Sequence, residues 1–219
     1  MKKIKIIIVD DHPIVREGII KFLEKEKDFD VCGEAASASE AIKTIIDCDP
    51  DIAIIDIALE GDTDGLELIK AIKTRFPDVR TLCLSMFEES IYAERAIRAG
   101  ARGYIHKSQG PDNVIKAVRR IIEGKLFLSG DISDTIISKI MHGRSPESSD
   151  MRVDLLSDRE FEVFLLLGKG WGTKEIAQKM NLSPNTVESH KKNIKDKLSV
   201  KDASELVKAA IQWVLTHKK

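Results

Sequence analysis

The feature that most constrains the fold is an alternation through the first 124 residues, where short apolar runs are each followed by a stretch of helical periodicity. Residues 5–9 form an apolar run too short for a helix and long enough for a buried strand. Residues 13–27 then place Ile14, Val15, Ile19, Phe22 and Leu23 as a helical stripe. The pair recurs as 31–34 with 39–47, 52–57 with 66–76, 80–85 with 90–99, and 103–106 with 113–123. Five βα units with continuously apolar strands predict an α/β, doubly wound parallel sheet with helices on both faces, taken with the flavodoxin-like strand order 2-1-3-4-5.

The pattern changes after Gly124. Residues 132–141 suit one more helix, and the stretch HGRSPESSD at 142–150 is polar and rich in turn residues, as a linker is. From Leu155 on the periodicity is helical only. The expected organisation is a first domain over 1–124, a helical extension and linker over 125–154, and an all-α four-helix domain over 155–219. Charge follows the same division. Residues 155–219 hold 12 Lys and Arg against 8 Asp and Glu, and the rest hold 23 against 28. An acidic front and a basic tail point to two different tasks.

Several classes drop out. No apolar run approaches the ~18 residues of a membrane span, and the short run after the basic start ends in two aspartates, unlike a signal peptide. The chain is therefore expected in the cytoplasm, with no membrane partner. Cys32, Cys48 and Cys83 form no C-x-x-C pair, so neither a disulfide framework nor a zinc site is implied.

In a doubly wound sheet the chemistry sits beyond the carboxyl ends of the strands, where strand order reverses. Here that point lies between strands 1 and 3. Asp10 and Asp11 follow strand 1, and Asp56 ends strand 3. Ser85 ends strand 4 and Lys107 ends strand 5, adding a hydroxyl and an ammonium to the same rim. Three converging carboxylates need a counter-charge, and oxygen ligands with water to spare suit Mg²⁺. Each residue alone has a plainer reading: Asp10 and Asp11 also suit the start of a helix, and Asp56 also suits a turn. Five such residues at one end of four strands are hard to obtain by accident.

The segments IVDDHP at 8–13, IID at 54–56, LS at 84–85 and GARGYIHKS at 100–108 resemble a response-regulator receiver domain. The resemblance implies Asp56 as phosphoacceptor and a sensor histidine kinase as donor. It implies Asp10, Asp11, Asp56 and the Ala58 carbonyl as holders of Mg²⁺. Ser85 and Lys107 would meet the phosphoryl group, and Tyr104 would be the switch aromatic that turns inward on activation. The chain departs from the pattern after Asp56. Glu60 stands where the family carries a proline, and Asp64 and Gly65 come one residue later than usual. The loop 58–64 is thus longer and more acidic.

In the tail, LSDRE at 156–160 is a helix start, with Ser157 and Glu160 spaced for a capping box and Leu156 and Phe161 for a hydrophobic staple. Thr173 is expected to cap a short second helix, and Ser183 a third with Pro184 at its first position. Asp202 and Glu205 begin a fourth, through Trp213. Val187, Ile194 and Leu198 share one face of the third helix. At about 100° per residue the opposite face carries Asn185, Glu188, Ser189 and Lys192, with Lys195 on the flank. A short helix, a tight turn and a polar-faced second helix make a helix-turn-helix, whose second helix enters the major groove.

LSDRE, KEIA at 174–177, NTVESHKKNI at 185–194 and KLSV at 197–200 resemble the LuxR-type helix-turn-helix. Joined to a receiver, this is similar to the NarL/FixJ family of two-component response regulators. The resemblance implies a phosphorylation-dependent transcription regulator that binds double-stranded DNA as a homodimer and is no enzyme beyond its own phosphoryl transfer and hydrolysis. Lys174 and Thr186 would contact phosphates, and positions 188, 189 and 192 would face bases. Many members are basic at position 188; Glu188 here would accept from cytosine N4. Lys191 lies near the buried edge, where its stem packs and its charge snorkels out. A stand-alone phosphatase with an aspartate nucleophile is the rival from another class, but such enzymes carry a second Asp two residues on, where this chain has Ala58. Nucleotide binding lacks its glycine-rich motifs, and a pure interaction module leaves the basic tail unexplained.

Overall fold

The computed structural model describes residues 3–59, 63–129 and 153–217. They fall into two compact units that divide between residues 141 and 142. In the first, β1 (Ile4–Val9), β2 (Phe29–Ala35), β3 (Ile52–Asp56), β4 (Arg80–Ser85) and β5 (Gly103–His106) alternate with α1 (Pro13–Leu23), α2 (Ala38–Cys48), α3 (Gly65–Arg75), α4 (Glu89–Ala99) and α5 (Pro111–Ile122). Every pairing is parallel and the order is β2-β1-β3-β4-β5. Ile6 to Val9 and Ile52 to Ile55 are buried throughout, as strands covered on both faces must be. At roughly 25 cal/mol per Å² of apolar surface, this double layer is the main stabilising term.

Local chemistry sets the helix ends. The Ser37 hydroxyl accepts the Glu40 N–H at the start of α2, and an Asp64 carboxylate oxygen accepts the Glu67 N–H at the start of α3; such caps satisfy donors that a first turn leaves orphaned. Gly65 opens α3 directly under β3. A Cβ there would run into the Asp56 carbonyl, so only glycine lets the chain turn back so close to the strand end.

The α1 stripe differs from expectation. Leu23 is fully buried, but Ile14 is 87% exposed and Phe22 is exposed as well. Ile14 and Leu23 are nine positions apart, half a turn out of phase at helical pitch, so a stripe holding both cannot face the sheet with both. β2 is longer than expected, because a register shift after the Ile6 to Val31 pairing lets the strand reach Ala35. The first unit also continues past Gly124. Phe127 bridges to Gly103 in parallel, its N–H bonds to the Arg102 carbonyl at 3.0 Å, and its carbonyl accepts the Tyr104 N–H at 3.0 Å. Glu60 in the long loop, the expected helix 132–141 and the linker 142–150 lie outside the described residues.

The second unit packs α6 (Asp158–Gly168), α7 (Thr173–Lys179), α8 (Pro184–Leu198) and α9 (Ala203–His217). The capping box forms: Glu160 N–H to Ser157 Oγ at 3.3 Å and Ser157 N–H to Glu160 Oε2 at 2.8 Å. Leu156 and Phe161 are buried beside it. Phe161 and Phe164 meet Trp213 of α9 edge-on, at centroid distances of 5.4 and 6.2 Å. Thr173 is not the cap of α7. Gly172 takes that place and donates its N–H to Glu175 Oε2 at 2.8 Å, while the Thr173 hydroxyl turns outward to Glu188.

Gly65→Ala should lower unfolding free energy by about 1–3 kcal/mol, the usual range for forcing extra atoms into a packed site. Urea denaturation checks this; an unchanged midpoint would show that the β3 to α3 turn has room to spare.

Candidate functional site

The register of β1, β3, β4 and β5 brings the predicted acids and their partners to one end of the sheet. Asp10 and Asp11 leave β1, Asp56 ends β3 opposite Leu84, and Ser85 pairs with His106 just before Lys107. Asp10 and Asp56 are buried, at 1% and 3% exposure. One ligand atom from each of Asp10, Asp11, His12 and Asp56 lies within 4.8 Å of the others.

The cluster is held by specific bonds. Lys107 Nζ lies 2.7 Å from Asp10 Oδ2 and 2.6 Å from Asp56 Oδ2. The Ala58 N–H donates to Asp56 Oδ1 at 3.1 Å, and the His12 N–H to Asp10 Oδ1 at 2.9 Å. Arg16 donates to the Asp10 carbonyl at 2.6 Å and to Glu34 at 2.7 Å, pinning the turn that presents both acids. Burial pushes the Asp56 carboxyl above its ordinary value, although Lys107 pulls the other way. Burial acts to lower the Lys107 ammonium, but Asp56 and Asp10 outweigh it and hold its pKa above the ordinary lysine value. The site is thus a recessed oxygen-rich pit with one compensating cation. Its all-carboxylate core fits a hard divalent ion such as Mg²⁺, which keeps several waters and asks for few protein ligands.

Behind the pit, Ser85 is fully buried and its Oγ accepts the Phe87 N–H at 3.1 Å. Tyr104 is buried, not partly exposed, and its hydroxyl donates to the Phe87 carbonyl at 2.8 Å. Burial lifts the Tyr104 phenol above its ordinary range, so it stays a neutral donor. Phe87 in turn stacks on Tyr92 of α4 at 4.5 Å. Beside the pit, Ile14, Ile19, Phe22 and Pro111 line an apolar groove of about 190 Å³ that reaches Lys107. Sequence reasoning missed this groove, because Ile14 was counted with the core; the phase conflict with Leu23 was the available signal.

In the second unit the turn between α7 and α8 is made by Asn181 at φ 54°, with the Leu182 N–H on the Ala177 carbonyl at 2.8 Å. Ser183 caps α8, accepting the Thr186 N–H at 3.1 Å, and the two hydroxyls lie 2.8 Å apart. Val187 and Ile194 are buried and Leu198 half-buried. Lys174, Asn185, Glu188, Ser189 and Lys192 are exposed, with Thr186 and Lys195 half-buried. Glu188 is not a free carboxylate. Its Oε1 accepts from Thr173 Oγ1 at 2.7 Å and from Lys191 Nζ at 2.8 Å, and the Lys191 ammonium followed by the Thr173 hydroxyl holds its carboxyl below the usual range. Lys191 packs its stem inward and turns its charge out to this acid. Lys197 from α8 reaches Glu160 of the capping box at 2.6 Å, tying the third helix to the first.

Comparisons with known proteins give two family matches. Residues 6–119 match the response regulator receiver domain, and residues 154–210 match the bacterial regulatory proteins of the luxR family. The oxygen regulatory protein NreC of Staphylococcus epidermidis is 34% identical over 211 residues, covering 95% of this chain and 97% of the relative. NreC of Staphylococcus carnosus is 34% identical over 210 residues, with the same coverage. Among solved structures, two RcsB dimers bound to two parallel DNAs align with a TM-score of 0.59 at 30% identity over 100% of both chains. RcsB of Salmonella enterica serovar Typhimurium on the rprA promoter with the phosphomimetic BeF3− aligns with a TM-score of 0.60 at 29% identity, covering 96% of this chain and 99% of that one.

Because burial raises Asp56 in the fold, its ionised form destabilises the folded state at neutral pH. That penalty is complete above the folded value and vanishes below the ordinary value of 3.8. Asp56→Asn should therefore raise the melting temperature at pH 7, and the gain should shrink as pH falls toward the ordinary carboxylate range. Thermal melts across pH check it; a neutral or lower melting temperature at pH 7 would mean that Lys107 repays the burial in full.

Proposed function

Because the chain belongs to the response regulators of two-component systems, with a receiver domain and a luxR-type DNA-binding helix-turn-helix, we propose that it takes a phosphoryl group on Asp56 from a sensor histidine kinase and answers by binding double-stranded DNA as a dimer. The observation that carries this reading is the Lys107 ammonium held between the buried carboxylates of Asp10 and Asp56. A carboxylate presented at a strand end, backed by a fixed cation, is a nucleophile with its counter-charge already in place.

In the proposed step an Asp56 carboxylate oxygen attacks phosphorus, the P–N bond of the donor breaks, and the leaving imidazole keeps the electron pair. Mg²⁺, held by Asp10, Asp11, Asp56 and the Ala58 carbonyl, would supply positive charge to the phosphoryl oxygens. Lys107 then pairs with the transferred group, and the Ser85 hydroxyl donates to it. Tyr104 already points inward against Phe87, so phosphorylation stabilises an arrangement the fold can adopt unaided, which is a shift of population. The apolar groove along α1, open beside Lys107, gives the kinase a surface at the reacting atoms.

On the output side, Lys174 and Lys195 form no ion pair among the described residues and are assigned to DNA phosphates, with Thr186. Asn185, Glu188, Ser189 and Lys192 face the base edges. One helix reads only a few base pairs, so two linked copies on adjacent half-sites gain affinity without new contacts; RcsB on DNA, as two dimers, is the corresponding arrangement in a relative of the same fold. No helix among the described residues is long and apolar enough to cross a membrane, in keeping with action in the cytoplasm.

A small phosphodonor with Mg²⁺ should add one phosphoryl group per chain, and Asp56→Asn should add none; labelling of that variant at the parental level would refute the assignment. Ile14→Asp should slow transfer from the kinase at least tenfold while leaving labelling by the small donor intact. Equal slowing of both would place the defect in the pit and not in docking. On the DNA side, Lys174→Ala should weaken binding and reduce the slope of log affinity against log salt by about one unit. A salt slope that stays at the parental value would remove Lys174 from the phosphate contacts.

A further inference from the structure

Glu89 is a charged group that the reading above leaves unused. It is the first residue of α4, only 8% exposed, and its Oε1 accepts the backbone N–H of Ser129 at 2.7 Å. Ser129 is forty residues away in sequence and is the last described residue before 130–152, the stretch that leads to the DNA-binding unit. A buried carboxylate spent on one backbone amide holds that amide firmly, because charge-assisted bonds are about twice as strong as neutral ones.

What Glu89 holds is continuous with the phosphorylation site. Ser85, Phe87 and Glu89 fall within five consecutive residues, from the last of β4 through the three-residue turn to the first of α4. The Ser85 hydroxyl takes the Phe87 N–H, and the Phe87 carbonyl takes the Tyr104 hydroxyl. Tyr104 also donates its backbone N–H to Phe127, two residues before Ser129. The closeness of this second contact depends on Gly103, where a Cβ would lie 2.8 Å from the Phe127 carbonyl oxygen. The exit segment is therefore tied at two points, Phe127 to β5 and Ser129 to α4, and both ties belong to the Ser85–Phe87–Tyr104 layer.

We propose that Glu89 is the positioning residue that transmits the state of the Ser85 turn to the chain's exit at Ser129, and so to the DNA-binding unit. This rests on the phosphorylation reading above. When the Ser85 hydroxyl turns to a phosphoryl oxygen, it gives up the Phe87 N–H. The turn readjusts, and Glu89, two residues further on, shifts its carboxylate against Ser129. A two-residue lever of this kind needs no large motion, since packed layers switch between discrete arrangements.

The test uses the full chain with beryllofluoride and Mg²⁺, reading hydrogen exchange at the Ser129 amide and DNA affinity with and without the phosphoryl mimic. The parent should show a protected Ser129 amide whose exchange rate changes on activation. Glu89→Ala should speed that exchange at least tenfold and shrink the activation-dependent gain in DNA affinity severalfold, while a small phosphodonor, in a separate assay without beryllofluoride, still labels Asp56 to one group per chain. Glu89→Gln, which keeps an acceptor oxygen, should restore both. Ser129→Pro, which removes the N–H and leaves the carboxylate, should reproduce the loss and guards against a folding defect peculiar to position 89. If Glu89→Ala and Ser129→Pro keep the parental gain in DNA affinity within twofold, Glu89 carries no signal and the inference falls. Failure of the parent to take a phosphoryl group on Asp56 would overturn the underlying reading instead.

Discussion

A single ammonium, that of Lys107, bridges the two buried carboxylates Asp10 and Asp56, and the third acid, Asp11, stands at the same mouth. Without that bridge the sheet would end in buried like charges, an arrangement that folding tolerates poorly; removing one partner of a buried pair typically costs about 3–5 kcal/mol. The topology makes the bridge possible. Strand order reverses between β1 and β3, leaving a cleft there, and β5 is near enough for a long side chain to cross β3 and β4. The same bridge leaves the pit short of positive charge, three acids against one base. Under the proposed function, a divalent ion and then a phosphoryl group would enter in sequence, each answering the charge left by the other. The instability of the acid cluster and its chemical readiness are thus one property seen twice.

Under the proposed function, the turn after β4 would convert that property into structure. Ser85 is wholly buried and donates nothing to solvent, so its hydroxyl is available only to the layer behind it or to whatever fills the pit. The Phe87 backbone is bonded on both sides, its N–H to Ser85 and its carbonyl to Tyr104. A residue whose N–H and carbonyl are both fixed passes on displacement instead of absorbing it. The stacking of Phe87 on Tyr92 then carries the constraint into α4.

Much of this was legible in the residues. The five βα units and the parallel sheet follow from short, continuously apolar runs alternating with helical stripes, while the strand order, assigned by likeness to flavodoxin-like sheets, is matched by the observed sheet. Asp10, Asp11, Asp56, Ser85 and Lys107 could be placed at one end because each closes a strand or follows one. Ser157 and Glu160 were readable as a capping box because that motif is local in sequence. Three kinds of feature were not legible. Ile14 has the composition of a core residue, and only its phase against Leu23 shows that it faces out. Gly172 caps α7 in place of Thr173 because Glu175, three residues on, bonds its backbone N–H, and glycine has no side-chain oxygen to mark it as the cap. The contact of Glu89 with Ser129 spans forty residues between a side chain and a backbone amide, so neither partner's identity announces the other.

The DNA-binding unit shows how a modest surplus of positive charge is concentrated. Lys191 is spent on Glu188 and Lys197 on Glu160, so two of the cations on α8 serve the fold. The Lys197–Glu160 pair ties α8 to the cap of α6, and the Lys191–Glu188 pair, which lies within α8, is joined to α7 through the Thr173 hydroxyl. The helix offered to the groove is therefore clamped along its length, and Lys192 and Lys195 are displayed from a rigid support. Glu188 carries the most consequence in this arrangement. Its Oε1 is fixed by two donors, so its orientation is set before any DNA arrives, and its depressed carboxyl stays ionised. Under the proposed function, an oriented, acceptor-only group set among cations would attract base-edge donors and repel base-edge acceptors such as guanine O6 and N7. The bonds that hold Glu188 to Thr173 and Lys191 would then also set the polarity of the outer face of α8, so that stability and base preference could not be altered independently at position 188.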